Sequence, residues 1–316
     1  MLHRVRAGVA VAVLILGGQP SVASAAEALT TNQPADSLSF VDLATMKSVA
    51  TIAIGGKPAG IALSPDRTKA YVTAPDSKEL VEVDAVTRTV TRRLTLGGGP
   101  LGIAAHPTLP EVYVADWFSH QVVVVDTRSL KVVGTISVGQ SPSGLAVTPD
   151  GRLLLSADRD SDSVSIIDVA TRSRVASIAA GRRPFGITID AKGERAYTTN
   201  VKSNDVTVID IASRRTLGSI PTGRRPYAVA LANGHGFSTD QYGGSITVFD
   251  LEKLSPLKTV RVCDHPEGIE ADASGGDIYV ACWGDNVLIR LDPETLKVTG
   301  KADVGDGPRS FGKFLR

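Results

Sequence analysis

The chain has 316 residues, of which 42% are hydrophobic, 21% charged and 5% aromatic. A hydrophobic fraction of this size is ample for a packed core and excludes a disordered chain. Lys and Arg number 34 against 33 Asp and Glu, so no overall charge drives binding to nucleic acid or to an anionic membrane. Many Val, Ile and Thr residues favour β-structure.

The first 25 residues have the pattern of a signal peptide. Arg4 and Arg6 precede an apolar stretch over residues 7–17, and small residues follow at 23–25. Such a stretch is too short for a bilayer core, which needs about 20 residues. We therefore predict cleavage near Ala25, export to the periplasm or the medium, and no membrane span.

A repeat fills the rest of the chain. A proline followed two positions later by a small residue recurs at spacings of 42, 42, 42, 42, 40 and 42 residues, at Pro58, Pro100, Pro142, Pro184, Pro226, Pro266 and Pro308. Each unit reads as four short strands. In the unit that begins at Pro142, for example, strands are expected over 144–147, 153–157, 164–168 and 174–178, with turns between them. Four antiparallel strands per roughly 40 residues are typical of a propeller blade.

The two ends of the chain together complete the last unit. Only residues 309–316 follow Pro308, enough for one inner strand, while residues 27–42 align with 195–210 at an offset of four periods. The sequence thus predicts an all-β, seven-bladed propeller over residues 26–316, a single domain. Its closing blade has three N-terminal strands and one C-terminal strand, which leaves no free sheet edge between the chain ends.

An aspartate ends the third strand of every unit. The set is Asp42, Asp84, Asp126, Asp168, Asp210, Asp250 and Asp292. Each precedes a turn whose N–H groups a carboxylate can accept, and seven copies around a ring lie far apart. We interpret these residues as turn caps and predict no metal site.

The two cysteines occupy related places in the sixth unit. Cys263 replaces the glycine that ends the outer strand of other units, and Cys282 has the position of Asn200 at the end of a second strand. Because the first strand of a blade descends and the second climbs back beside it, both cysteines reach the same edge of the sheet. Export favours pairing, so we predict a Cys263–Cys282 disulfide.

Segments 70–73, 196–200 and 278–281, which read AYVT, AYTTN and IYVA, are each followed by an alternating strand. They resemble the YVTN-repeat β-propellers, with exported YncE-type proteins as the most similar class. The resemblance covers residues 27–316 and implies the propeller fold. It is less specific for function, because related propellers include ligand binders, subunits of redox systems and, more remotely, lactonases.

Departures from the repeat indicate a candidate binding site. In a propeller, the loops that join blades and the loops after second strands share one face, which we call the top face. There the fourth to seventh blades concentrate cationic and aromatic residues, a combination that suits a flat anionic ligand. The candidate residues are Arg183, Arg225, Arg309, Phe185, Tyr227, Tyr242, His265, Glu267 and Trp283. A solvated rim of ion pairs is the alternative.

Three classes of function remain open. The favoured one is an exported, monomeric binder of an anionic small molecule or a periplasmic protein, without catalysis and without a cofactor. A lactonase-like hydrolase is the second, with His265 or Glu267 as base and Arg183, Arg225 or Arg309 stabilising an oxyanion. The third is an accessory subunit of a periplasmic redox or transport system. Binding of single-stranded nucleic acid through Arg and aromatic stacking is disfavoured by the near-zero charge.

Overall fold

The computed structural model describes residues 26–272 and 276–316. In this part of the chain 28 strands form seven sheets around a central axis, as the repeat predicts. No helix within these residues is long and apolar enough to cross a membrane. The predicted signal peptide lies outside the described residues.

The strands follow one another from the inner to the outer edge of each blade. Blade 7 contains β1 (Glu27–Asn32), β2 (Ser37–Asp42) and β3 (Lys47–Ala53), and blade 1 contains β4 (Gly60–Leu63), β5 (Lys69–Ala74), β6 (Glu79–Asp84) and β7 (Thr89–Thr95). Blade 2 contains β8 (Pro100–Ala105), β9 (Glu111–Asp116), β10 (Gln121–Asp126) and β11 (Lys131–Ser137). Blade 3 contains β12 (Pro142–Val147), β13 (Leu153–Asp158), β14 (Ser163–Asp168) and β15 (Ser173–Ala179).

Blades 4 to 6 repeat this arrangement. Blade 4 contains β16 (Pro184–Ile189), β17 (Arg195–Asn200), β18 (Asp205–Asp210) and β19 (Arg215–Pro221). Blade 5 contains β20 (Pro226–Ala232), β21 (His235–Asp240), β22 (Ser245–Asp250) and β23 (Ser255–Arg261). Blade 6 contains β24 (Pro266–Ala271), β25 (Ile278–Cys282), β26 (Val287–Leu291) and β27 (Val298–Asp303). The strand β28 (Phe311–Gly312) follows, and single 3₁₀ turns occur at Arg159–Ser161 and Gln241–Gly243.

The composite closure is confirmed. The C-terminal segment runs along β1, with hydrogen bonds from Leu29 N–H to the Phe314 carbonyl at 2.9 Å and from Arg309 N–H to the Thr31 carbonyl at 2.8 Å. The segment also reaches blade 1, because β28 pairs in parallel with Gly60 and Ile61 of β4. The C-terminus therefore completes one blade and contacts the next.

Threonines near the ends of second strands connect neighbouring blades. Thr199 Oγ1 accepts a hydrogen bond from Gly186 N–H at 3.0 Å and donates one to the Tyr227 carbonyl of the next blade at 2.9 Å. Thr73 makes the corresponding bonds to Gly60 and Leu101. The threonine hydroxyl thus pairs with an inner-strand N–H that the irregular register leaves without a partner on the second strand. Its bond to the next carbonyl also holds the inner strand of the following blade in place.

The repeated aspartates cap turns, as predicted. Asp168 Oδ1 accepts hydrogen bonds from the Thr171 N–H at 2.8 Å and the Thr171 hydroxyl at 2.9 Å. These bonds lower the pKa of Asp168 because they stabilise the charged form. The other six aspartates accept equivalent turn N–H groups. Within the described residues no group of His, Cys, Asp or Glu is arranged to hold a metal ion.

The predicted disulfide is present. Cys263 and Cys282 are bonded, with their Cα atoms 6.0 Å apart. The bond joins the loop before β24 to the end of β25, the two places on one sheet edge that the repeat indicates.

Candidate functional site

A cavity of about 340 Å³ opens on the top face of the ring. Two sets of repeated positions supply much of its wall. One is the residue after the repeated proline, represented by Leu101, Phe185, Tyr227 and Arg309. The other is the first residue after a second strand, represented by Pro75, Trp117, Arg159, Val201 and Gln241. The fold thus directs unrelated side chains from most blades to one place near the axis. We call this cavity the upper pocket.

Three arginines line the upper pocket, and each lies over an aromatic ring. The guanidinium carbon of Arg159 is 5.2 Å from the ring centre of Trp117. The corresponding distances are 4.6 Å for Arg225 over Tyr242 and 5.8 Å for Arg309 over Tyr227. Because a cation is attracted to the face of an aromatic ring, these contacts orient the guanidinium groups before any ligand arrives.

Arg309 is held by a buried carboxylate that lies outside the pocket lining. Its Nε donates to Glu267 Oε2 at 2.7 Å and its Nη2 to Glu267 Oε1 at 3.2 Å. Gln241 Nε2 also donates to Glu267 Oε1, and Glu267 is only 1% exposed. Although burial opposes the charge of Arg309, the Glu267 carboxylate raises the pKa of Arg309 above its usual value. Burial also raises the pKa of Tyr227, so this phenol stays protonated.

The other arginines are less fully paired. Arg159 Nη1 contacts Asp160 at 2.7 Å, and Arg183 lies 3.8 Å from the same carboxylate. Arg225 donates to the Tyr242 hydroxyl at 2.8 Å, and it has no carboxylate partner within the described part of the chain. Its buried Nε has no hydrogen-bond partner there either. Burial lowers the pKa of Arg159, and repulsion from Arg183 and Arg225 lowers it further. The pocket therefore concentrates positive charge.

Three aromatic rings pack against one another, and two of them, Phe185 and Tyr227, line the upper pocket. The ring centres of Phe185 and Tyr227 are 4.8 Å apart, and Phe311 lies 4.9 Å from Phe185 and 5.4 Å from Tyr227. Phe311 also lines a wider cavity of about 1200 Å³ below, where small inner-strand residues such as Ala104 form the wall. The aromatic layer separates the upper pocket from this lower funnel.

The structure brings only part of the predicted set together. The upper pocket is lined by Arg225, Arg309, Phe185 and Tyr227, and Glu267 is bonded to Arg309 behind this lining. Arg183 lies at the edge, with its side chain 50% exposed.

Tyr242, His265 and Trp283 form a separate aromatic row beside the pocket. The ring centre of His265 is 5.7 Å from Tyr242 and 6.0 Å from Trp283. The His265 Nδ1 contacts Asp264 at 2.8 Å, away from the pocket lining. The cavity is lined by residues of blades 1 to 5 and of blade 7, whereas the sequence placed the site on blades 4 to 7.

Sequence reasoning missed Arg159 and Gln241. Both begin a 3₁₀ turn directly after a second strand, at a position that points toward the axis. Tyr242 is one residue further along and lies on the rim. The same position in blade 2 is Trp117, and its neighbour Phe118 is 71% exposed. Comparing the first residue after each second strand across the repeats was the signal that could have found them.

Comparisons with known proteins agree with this fold. Residues 62–222, just over half of the chain, match the family model described as "Lactonase, 7-bladed beta-propeller". None of the curated proteins matches the chain.

Several solved structures are similar. Hydrazine synthase of Kuenenia stuttgartiensis is 21% identical, with a TM-score of 0.72 over 81% of this chain and 89% of that chain. A functionally unknown protein of Desulfotomaculum acetoxidans is 15% identical, with a TM-score of 0.76 over 90% and 99%. Dihydro-haem d1 dehydrogenase NirN, in complex with DHE, is 15% identical, with a TM-score of 0.67 over 92% and 74%. These identities support the fold alone. With more than half of its length matched by the family model, the chain belongs to the seven-bladed β-propeller lactonase family.

Proposed function

We propose that this protein binds a small organic anion with a flat apolar part in the upper pocket, and that it does so without catalysis. The observation that carries the proposal is Arg225. This arginine is oriented by Tyr242, faces a wall of aromatic rings and has no carboxylate partner among the described residues. A ligand carboxylate would give it a charge-assisted pair, and Phe185 and Trp117 would contact the apolar part.

The backbone at Arg225 shows how its side chain can be removed without disturbing the turn. Arg225 has a positive φ of 57° directly before proline, and the equivalent residue in blade 7 is Gly307 with a φ of 62°. A non-glycine side chain is disfavoured in this conformation. The conformation is nevertheless a property of the repeat, since non-glycine residues with φ between 49° and 58° hold the same position in other blades, namely Lys57, Ser141, Arg183 and His265. It therefore allows a clean substitution of Arg225 by glycine.

The test uses this equivalence. The Arg225→Gly variant keeps the turn and removes the cation, so we expect benzoate to bind about 10- to 150-fold more weakly, from roughly 1.5–3 kcal/mol for a charged hydrogen bond. Of the two tryptophans, Trp117 lines the pocket, so its fluorescence in a Trp283→Phe background reports binding.

Lys57→Gly is the matched control. Lys57 occupies the same position before blade 1, with a φ of 56°, and lies outside the pocket lining. This variant should bind benzoate like the wild type. Equal affinity in Arg225→Gly and the wild type, or equal affinity for benzoate and benzyl alcohol, would refute the proposal.

Lactone hydrolysis is the second candidate, and family membership favours it. The arginines suit an oxyanion. A free general base is harder to assign, because Glu267 is bound by Arg309 and Gln241 and His265 lies outside the pocket lining. Turnover of a lactone panel, lost in Glu267→Gln with folding retained, would establish the hydrolase and displace the non-catalytic proposal.

We also propose export to an oxidising compartment, which the disulfide supports. N-terminal sequencing of the exported protein should begin at Ala26. The YncE-type assignment and a protein partner in a redox or transport system stay predictions. Co-purification from the exporting cell tests the partner.

A further inference from the structure

Glu267 lies where it controls the charge of the upper pocket without facing a ligand itself. It is 1% exposed, and both of its oxygens are engaged by Arg309, with Gln241 as a further donor. The two partners come from neighbouring blades, 6 and 7, so the fold builds this pair across a blade boundary. A bidentate pair of this kind fixes the guanidinium plane and offsets its charge.

The pairs around the pocket leave one uncompensated cation. Arg309 is balanced by Glu267 and Arg159 by Asp160, while Arg225 has no carboxylate partner among the described residues. Arg183 is 3.8 Å from Asp160 and half exposed, so solvent and salt screen its contribution.

We propose that Glu267 is a positioning residue that makes the pocket selective for monoanions over dianions. It holds Arg309 over the Tyr227 ring as a source of N–H donors while cancelling its charge. The inference rests on the proposed function, because it concerns the ligand of that same pocket.

The Glu267→Gln variant tests this selectivity with probes of increasing charge. Benzyl alcohol, benzoate and phthalate carry zero, one and two negative charges on the same ring. Removing one nearby negative charge strengthens binding in proportion to the charge of the ligand. At low salt and pH 7.5 we expect about tenfold tighter binding of benzoate, about a hundredfold for phthalate, and no change for benzyl alcohol.

Glu270→Gln is the matched control. Glu270 lies three residues further along β24, lines the lower funnel and accepts the Phe314 and Leu315 N–H groups. The Glu270→Gln variant also removes a carboxylate from β24, but it should leave the ratio of phthalate affinity to benzoate affinity unchanged.

A second variant keeps the test decisive if Glu267→Gln leaves an uncompensated buried cation and does not fold. Glu267→Gln/Arg309→Gln removes both charges, so its phthalate-to-benzoate ratio should equal that of the wild type. A ratio shifted about tenfold against phthalate would show that the Arg309 charge already reaches the ligand, and would overturn the inference.

The two proposals fail differently. If the wild type does not bind benzoate, or binding does not depend on Arg225, the proposed function is wrong. If benzoate binds through Arg225 but Glu267→Gln changes both anions by the same factor, only the selectivity role is wrong.

Discussion

Asp240 is a buried carboxylate whose ionisation should oppose folding at neutral pH. It is fully buried at the end of β21 and accepts hydrogen bonds from the hydroxyls of Ser245 at 3.1 Å and Thr247 at 2.7 Å. Burial outweighs these bonds and raises the pKa of Asp240 from 3.8 to about 6. An Asp240→Asn variant removes the charge and keeps the shape.

The sign and size follow from proton linkage. The folded state holds its proton more tightly than the unfolded chain, so this group's contribution to stability is fully present below pH 3.8 and is lost as pH rises through about 6. Over the whole titration, this rise in the pKa of Asp240 corresponds to about 3 kcal/mol in the free energy of unfolding. Because the unfolded carboxyl is already partly ionised at pH 4, the advantage of Asp240→Asn over the wild type should grow by about 2.5 kcal/mol between pH 4 and pH 8.

Two other blades indicate that asparagine fits. Asn200 and Asn32 have the equivalent position, and Asn200 Nδ2 donates to the Thr207 hydroxyl oxygen at 2.8 Å. That oxygen also accepts the Gly181 N–H, just as Thr247 accepts the Gly223 N–H in blade 5. The same polar frame thus accommodates either residue.

Urea unfolding of both proteins at pH 4, 5, 6, 7 and 8, followed by tryptophan fluorescence, measures the difference. Asp210→Asn is the control, because hydrogen bonds from Ser213 lower the pKa of Asp210. The stability that Asp210 contributes is present above about pH 4 and is lost only as pH falls below that value, so the difference between this variant and the wild type should stay nearly constant from pH 5 to pH 8. A difference between Asp240→Asn and the wild type that stays constant within 1 kcal/mol across this range would refute the reasoning.

Two further predictions concern the closure and the disulfide. Deleting residues 309–316 removes the buried rings of Phe311 and Phe314, so we expect a loss of more than 5 kcal/mol at about 3–5 kcal/mol per ring; a thermal midpoint equal to that of the full chain would contradict the closure. Replacing Cys263 and Cys282 with serine should lower stability by about 3 kcal/mol on the chain-entropy model, given their separation of 19 residues. Wild-type protein treated with a reductant should then unfold at the same urea concentration as the serine variant. If neither reduction nor the serine substitutions lower the free energy of unfolding, the predicted contribution of the disulfide is wrong.

The repeat predicts the fold because the residues that recur in it have the same structural role in every blade. The prolines mark the start of each inner strand and the aspartates cap each outer turn, so their spacing counts blades directly. The closure of the ring could be predicted in the same way, because residues 27–42 align with residues 195–210, which form the second and third strands of blade 4. The disulfide could be predicted because the position of a residue within the repeat also determines which end of a strand it occupies.

The upper pocket was harder to predict because it depends on the directions of non-repeated side chains. Gln241 and Tyr242 are adjacent in sequence, yet Gln241 is buried against Glu267 and Tyr242 is half exposed. The first position after a second strand lines the pocket in blades 1 to 5, but its equivalent in blade 6, Trp283, does not. The repeat therefore narrows the choice of residues without deciding it. Likewise, Glu267 and Arg309 are 42 residues apart, and their phases place both near the axis without revealing that they form a pair.

Blade 6 shows how a departure from the repeat can preserve a structural task. In blade 4, Asn200 at the end of the second strand is bonded to Asp205 and Thr207, and Thr207 in turn holds the incoming loop at Gly181. In blade 6 the equivalents of Asp205 and Thr207 are Val287 and Ile289, which cannot form this network. Cys282 stands at the Asn200 position and bonds covalently to Cys263, the equivalent of Gly181. The covalent bond connects the same two points that hydrogen bonds connect in blade 4, so the cysteines are best explained as a structural replacement for that network.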